Sequence, residues 1–214
     1  MSSSNPLGED KSKYEGDFVN DKREGNGKYI LECGEYYIGQ WKNDLFHGKG
    51  TYYYSNGKIN YEGDYVNDKF EGNGKYILEN GVYYIGQYKN GLTNGKGIEY
   101  YSNGKIRYEG DFVNDKREGN GKCIYENDVY YIGKWKNGLR NGKGIEYYSN
   151  GKIKYEGDYV NDQREGNGKY IWEDGKYYIG QFKNGLFHGK GITLYSNGEI
   201  KQDGNWIDDI FVGN

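Results

Sequence analysis

An all-β fold is predicted: a single-layer, elongated antiparallel sheet of stacked β-hairpins, without helices. Three observations predict it. From Tyr14 the chain divides into eight blocks opening with a tyrosine, at Tyr14, Tyr37, Tyr61, Tyr84, Tyr108, Tyr131, Tyr155 and Tyr178, and their lengths alternate between 23 and 24 residues, so that every second block restarts 47 residues on. Self-similarity at a fixed spacing of roughly 20 to 50 residues marks a stacked repeat, in which each unit contacts only its neighbours. Inside a block, residues alternate with a period of two, as in a strand with one aromatic face. Between these runs stand clusters of Asn, Asp, Ser and Gly, which reverse a chain.

Taken in order, residues 1–13, MSSSNPLGEDKSK, hold no apolar stretch and read as a polar, disordered tail. In the first block, 14–36, Tyr14, Gly16 and Phe18 alternate with Glu15, Asp17 and Val19. The NDKR run from Asn20 to Arg23 is expected to reverse the chain, and Gly25-Asn26-Gly27 to lead into a second strand from Lys28 to Leu31. A turn around Glu32 to Gly34, or Ser55 to Gly57 in the next block, hands over to the following tyrosine. Blocks 37–60, 61–83, 84–107, 108–130, 131–154, 155–177 and 178–201 repeat the plan. Side by side they would make about 16 strands, on the order of 75 Å across. Residues 202–214 keep Gly204, Trp206 and Gly213 in register but lose the leading tyrosine, and read as a degenerate partial repeat capping the last edge.

A lone hairpin is marginal in water, so the hairpins must bury rings against one another. Gly16, Gly39, Gly63, Gly86, Gly110, Gly133, Gly157 and Gly180 each lie between two rings of one strand face, leaving a gap over which rings of adjacent strands are expected to lie. The second ring of each set is Phe18, Trp41, Tyr65, Tyr88, Phe112, Trp135, Tyr159 or Phe182, with Trp206 in phase beyond them.

Composition sets further bounds. Leu, Ile, Val and Phe make up 39 of 214 residues, few enough to suggest disorder, but a net charge of −3 and 27 Tyr with 4 Trp argue instead for a folded chain with a thin core. Twenty-nine basic against 32 acidic residues give no field that would hold a nucleic acid, which is excluded as a partner. No segment approaches the roughly 18 apolar residues of a membrane span, and neither terminus carries a lipidation signal, so the chain is expected to be soluble and cytoplasmic. Cys33 and Cys123 lie four blocks apart. That is roughly 38 Å in the predicted sheet, too far for a disulfide, so both are expected to be free thiols.

Catalytic chemistry is not expected. His47 and His188 occupy the same phase of blocks three 47-residue units apart, roughly 58 Å in such a sheet, so they cannot share a metal; each reads as a turn histidine, in the slot of Asn94 and Asn141. GLTNGK (91–96), GLRNGK (138–143) and GLFHGK (185–190) are one residue short of a phosphate loop and precede strands, so they read as hairpin turns. The carboxylates recur at the repeat period where catalysis needs one converging set. No catalytic residue, metal site or cofactor is assigned.

Charge forms rows instead. On the face opposite the leading tyrosines, Glu15/Asp17, Glu62/Asp64, Glu109/Asp111 and Glu156/Asp158 alternate with Lys42, Lys89, Lys136 and Lys183. Cross-strand ion pairing on a solvated face, worth about 0.2 to 1 kcal/mol per pair, accounts for such rows. The four lysines are nevertheless the candidate contacts for a partner or for lipid.

The blocks resemble the MORN repeat (membrane occupation and recognition nexus), whose pattern is roughly Y-x-G-x-W-x-x-G-x-x-x-G-x-G. The likeness is close at YIGQWKNDLFHGKG (37–50), YIGKWKNGLRNGKG (131–144) and YIGQFKNGLFHGKG (178–191), and it covers 14 to 201. Alternate blocks depart from it, with Asp21, Asp68, Asp115 and Asp162 where the pattern has Gly, so a pair of blocks is a candidate functional unit. The resemblance implies a MORN-repeat solenoid with a non-catalytic role. Similar repeats accompany phosphatidylinositol-phosphate kinase and SET methyltransferase domains, and occur in membrane tethers, ciliary spoke heads and cytoskeletal scaffolds; 13 residues on each side of the repeats leave no room for such a catalytic domain in this chain. The reading that follows is a rigid scaffold for a protein partner, cytoskeletal or ciliary. A membrane or phosphoinositide adaptor is the alternative, and an accessory subunit of a separately encoded lipid kinase a third reading.

Overall fold

The structure, a computed structural model, describes residues 12–214, so the tail expected at 1–13 lies outside it apart from Ser12 and Lys13. Every element among the described residues is a strand. The chain divides into two compact units, Met1–Thr93 and Asn94–Asn214. In the first, β1 (Lys13–Val19), β2 (Lys22–Ile30), β3 (Tyr36–Lys42), β4 (Leu45–Tyr53), β5 (Ile59–Val66), β6 (Lys69–Ile77) and β7 (Tyr83–Lys89) follow one another. Each pairs antiparallel with its sequence neighbour. Strand β8 (Leu92–Tyr100) carries the chain into the second unit. There it is followed by β9 (Ile106–Val113), β10 (Lys116–Ile124), β11 (Tyr130–Lys136), β12 (Leu139–Tyr147), β13 (Ile153–Val160), β14 (Gln163–Ile171), β15 (Tyr177–Lys183), β16 (Leu186–Leu194), β17 (Ile200–Ile207) and β18 (Ile210–Gly213). Again each pairs antiparallel with the next.

The reversal within a block is tighter than the NDKR run suggests. Asn20 and Asp21, with φ of 50° and 60°, make the whole turn, and Lys22 and Arg23 already belong to β2. Two successive left-handed residues are the hairpin turn whose twist matches the flanking strands, and Asn and Asp tolerate that conformation. The same correction applies to the phosphate-loop mimics: Asn90-Gly91, Asn137-Gly138 and Asn184-Gly185 form the turns, and the residues after them lie in β8, β12 and β16. His47 and His188 therefore sit in strands β4 and β16, not in turns.

Gly25-Asn26-Gly27 does not precede the second strand but lies inside it, as a bulge with Gly25 at φ 67°. A bulge leaves a backbone N–H without its ladder partner. The Asn26 N–H donates instead to Asp17 Oδ2 at 3.1 Å, Asn73 to Asp64 at 3.2 Å and Asn120 to Asp111 at 3.1 Å. Gln40 and Gln181 accept from Lys49 and Lys190 at 2.9 and 3.1 Å. In these five blocks the residue after the first glycine is thus an acceptor for the bulge, which explains why both YEGD and YIGQ openings work. At the opposite end of the sheet, Asn56 Oδ1 accepts the Lys58 N–H at 2.9 Å and Gly57 holds φ 80°, closing the handover turn.

The core is built of rings. Tyr37, Tyr61, Tyr108, Tyr131, Tyr155 and Tyr178 are fully buried. Each leading tyrosine lays its ring along its own hairpin: a Cβ at Gly39 or at Gly50 would collide with Tyr37, and a Cβ at Gly63 or Gly74 with Tyr61. Gly39 and Gly50 are cross-strand partners, as are Gly63 and Gly74. The expectation that rings of adjacent strands cover the glycines is corrected here, because the covering ring comes from the hairpin itself. Its hydroxyl reaches past the glycines and donates to the carbonyl three residues on, Gln40 from Tyr37 at 2.9 Å and Asp158 from Tyr155 at 3.0 Å.

The second aromatic row joins hairpin to hairpin. Trp41 meets Tyr14 of the preceding hairpin edge-on at 5.1 Å and its own Tyr37 at 5.4 Å. Tyr65, Trp135, Phe182 and Trp206 repeat this against Tyr37, Tyr108, Tyr155 and Tyr178 at 5.0–5.4 Å, the edge-to-face arrangement that aromatic quadrupoles favour. The indole N–H groups of Trp41, Trp135 and Trp206 donate to the carbonyls of Gly27, Gly121 and Gly191. Phe18 is 60% exposed while Phe112 is 2% exposed, since β1 has no hairpin ahead of it among the described residues.

Turns clamp the neighbouring hairpin as well. The Asp44 N–H donates to the Arg23 carbonyl at 3.1 Å while Asp44 Oδ1 accepts the Arg23 N–H at 2.8 Å, and Asp68 with Phe46, Asp162 with Arg140 and Asp209 with Phe187 do the same. Where the turn residue is Gly138 or Gly185, only the N–H bond remains. Glu24, Glu71, Glu118 and Glu165 accept the N–H groups of Asn43, Asn90, Asn137 and Asn184.

Candidate interaction surfaces

Each hairpin presents two faces. On the ring face a row that sequence reasoning missed covers the leading tyrosines: Phe46, Phe70 and Phe187 stack on Tyr37, Tyr61 and Tyr178 at 3.9, 3.7 and 4.0 Å. Arg117 and Arg164 take that slot over Tyr108 and Tyr155 at 4.4 and 4.9 Å. A planar guanidinium covers a ring as a phenyl does and adds cation–π attraction. The signal was present in the sequence as Phe or Arg at the tenth residue of every block but the fourth, which has Thr93, but a residue two positions past a turn is not obviously a core residue.

These arginines bring carboxylates inward. Arg140 Nε and Nη2 bond Asp162, whereas Arg117 bonds Glu99 and Arg164 Nη2 bonds Glu146 at 2.9 Å. Glu146 is 7% exposed and also receives Lys154 Nζ at 2.8 Å and the Tyr159 hydroxyl at 3.3 Å. Burial alone would raise its pKa, but the hydrogen bonds and charges of Lys154 and Arg164 outweigh that and hold it below the ordinary glutamate value. Burial pushes the Cys123 thiol up against the opposing Arg117 charge, and Cys123 and Cys33 are both free. Thiolate chemistry is disfavoured at Cys123.

The opposite face carries the charge rows in a different pairing from the expected one. Asp64, Asp111 and Asp158 bond Lys49, Lys96 and Lys143 at 2.6, 2.5 and 2.8 Å across neighbouring strands. The candidate contacts Lys42, Lys89, Lys136 and Lys183 are exposed and form no ion pair among the described residues. They stand at the two-residue turns, where Lys42, Lys136 and Lys183 oppose Leu45, Leu139 and Leu186. In the alternate hairpins Lys22, Lys69 and Lys116 oppose Val19, Val66 and Val113, so the turn end shows a cation beside an aliphatic side chain again and again. Between the rows the glycine backbones floor open grooves, one of about 740 Å³ walled by Ile132, Ile145, Glu156, Lys169 and Ile179.

His47 and His188 do not meet a third ligand: His188 Nδ1 lies 3.3 Å from Asp208 Oδ1, and His47 Nδ1 is buried without a hydrogen-bond partner. Among the described residues no group of three His, Cys, Asp or Glu could hold a metal.

The family model for the MORN repeat matches residues 14–32, 37–59, 61–83, 84–106, 108–129, 131–153, 155–177 and 178–200. The chain is a MORN-repeat protein. No curated protein matches it. Its MORN pattern now has a physical reading: the tyrosine is the ring over its own glycine pair, the paired glycines admit that ring, and the Trp position is the wedge to the preceding hairpin. The all-β repeat built this way is of the non-catalytic scaffold type common among protein- and membrane-interaction modules.

Proposed function

We propose that this MORN-repeat protein is a non-catalytic scaffold that binds a protein partner in a cytoskeletal or ciliary assembly within the cytoplasm, through side-chain rows repeated once per hairpin. The supporting observation is the turn end, where Lys42, Lys89, Lys136 and Lys183 are exposed and without an ion pair among the described residues, three of them opposite a leucine. A repeated cation beside a repeated aliphatic contact suits a partner read in register, while the Asp and Glu between the lysines disfavour a diffuse anionic surface.

Capture of partners from a cytoskeletal extract on the immobilised chain tests this. The parent should retain a partner that the combined Lys42→Gln, Lys89→Gln, Lys136→Gln and Lys183→Gln variant loses, with an unchanged circular dichroism spectrum. The same unpaired lysines favour a second reading, an anionic-lipid or phosphoinositide adaptor. Tight binding to phosphoinositide vesicles that survives physiological salt, where the screening length is about 8 Å, would replace the first reading by the second.

A further inference from the structure

The second unit has a cleft of about 700 Å³ on its ring face, lined by Tyr101, Arg107, Tyr125, Glu126, Arg140 and Glu146. That is the size of a pocket for a side chain or small ligand. It exists because the ring packing is interrupted. Two hairpins further on, Trp172 and Phe187 occupy the slots of Tyr125 and Arg140, and their rings meet at 5.7 Å. Here Arg140 lies 4.8 Å over the Tyr159 ring and bonds Asp162 through Nε and Nη2, and Tyr125 is left 36% exposed beside the opening.

The cations around the cleft are not equally committed. Lys154 is held by Glu146, whose other oxygen takes Arg164 and Tyr159. Arg107 is exposed, lies 5.8 Å over the Tyr101 ring and has no carboxylate partner among the described residues. Arg140 spends only one edge on Asp162, so its Nη1 is unused in that pair. A free guanidinium fork next to aromatic walls suits a planar or tetrahedral oxyanion on a short apolar stem, which it can bind through two parallel hydrogen bonds. Arg107 is also the odd member of its row: Asn60 and Lys154 hold the same slot in neighbouring repeats.

We propose that this cleft is an anchor site for an oxyanion-bearing side chain of a partner polypeptide, carboxylate or phosphate, with Arg107 as the binding residue and Tyr101 and Tyr125 as its walls. The proposal rests on the scaffold reading and names one of its specificity sites.

The test is titration of the full chain with phenyl phosphate, with 3-phenylpropionate and with neutral phenol, followed by nuclear magnetic resonance of the Arg107 Nε–H and the tyrosine rings. At least one of the two anions should shift Arg107, Tyr101 and Tyr125 saturably, and phenol should not. Saturation by phenyl phosphate alone assigns a phosphorylated side chain, and by phenylpropionate alone an acidic one. Arg107→Asn, which copies Asn60, should keep the circular dichroism spectrum and weaken binding about tenfold or more, as expected for loss of a charge-assisted hydrogen bond. Undiminished binding by Arg107→Asn, an equal response to phenol, or no saturable shift with either anion overturns the site. Failure of the scaffold reading is separate: it would appear as no partner retained by the parent chain, or as equal retention by the turn-end lysine variant, whatever the probes do at Arg107.

Discussion

Lys134 stands where the other blocks place an acceptor for the bulge N–H, as Gln40 does for Lys49 and Asp111 for Asn120. Lysine has no acceptor. Lys134→Gln should add the missing bond to the Lys143 N–H, raise stability by about 0.5 to 1 kcal/mol and slow exchange of that amide. Tyr65 offers a contrast in which less is better. Its hydroxyl is buried without a partner, while the Tyr159 hydroxyl in the same slot reaches Glu146. Tyr65→Phe should therefore stabilise by about 1 kcal/mol and Tyr159→Phe should destabilise, as thermal melts of the two variants would show. Slot membership of both residues is legible in the sequence from phase alone. Which hydroxyl finds a partner is not, because that depends on whether Glu146 or a ring lies across the strand.

At the scale of the hairpin, the ring over the glycine pair is the element that tolerates least. A Cβ at Gly110 would sit 2.5 Å from the Tyr108 hydroxyl and 2.6 Å from the Asn120 carbonyl oxygen. Gly110→Ala should cost about 1 to 3 kcal/mol by overpacking, seen as a lowered denaturant midpoint. Gly104, with nothing within 4 Å of an added Cβ but φ at 81°, should lose less on the same change. The period-two pattern and the glycines made the hairpin legible. The turn was misread because Lys22 and Arg23 are as polar as the turn residues before them, and only the register shows that they already pair with Val19 and Phe18. The second glycine row, Gly27, Gly50, Gly74 and Gly121 among others, was also passed over. Its signal is the cross-strand match of Gly to Gly, visible only once the register is known.

For the whole chain, the buried phenols impose a one-sided pH dependence. Burial raises the Tyr131 and Tyr178 pKa from 10.0 to about 12, and Tyr37, Tyr61, Tyr108 and Tyr155 shift in the same direction. A pKa raised on folding means that these groups support the native state fully below their unfolded value and lose that support as pH climbs through the folded one. Stability should be unaffected by them up to about pH 10 and fall steeply from there to about pH 12. Tyrosinate absorbance should then rise together with loss of the sheet signal in circular dichroism; titration of these phenols in a chain that keeps its sheet would contradict the burial. Family and fold were legible at this scale because the repeat states them eight times. The partner was not, because an exposed lysine repeated at the turn ends states a charge and a spacing and names no partner.

Because each leading tyrosine locks its own hairpin and each wedge and clamp reaches only the adjacent one, the side-chain bonds described above span at most 22 residues of sequence. Folding speed in single domains falls as contacting residues grow more distant along the chain, and all-β proteins are usually slow for that reason. Here the topology is all-β while its contacts are local. Refolding should accordingly run closer to the rates of helical proteins than to those of β-sandwiches. A nascent chain could complete each hairpin soon after its second strand leaves the ribosome, so that growth of the sheet keeps pace with synthesis.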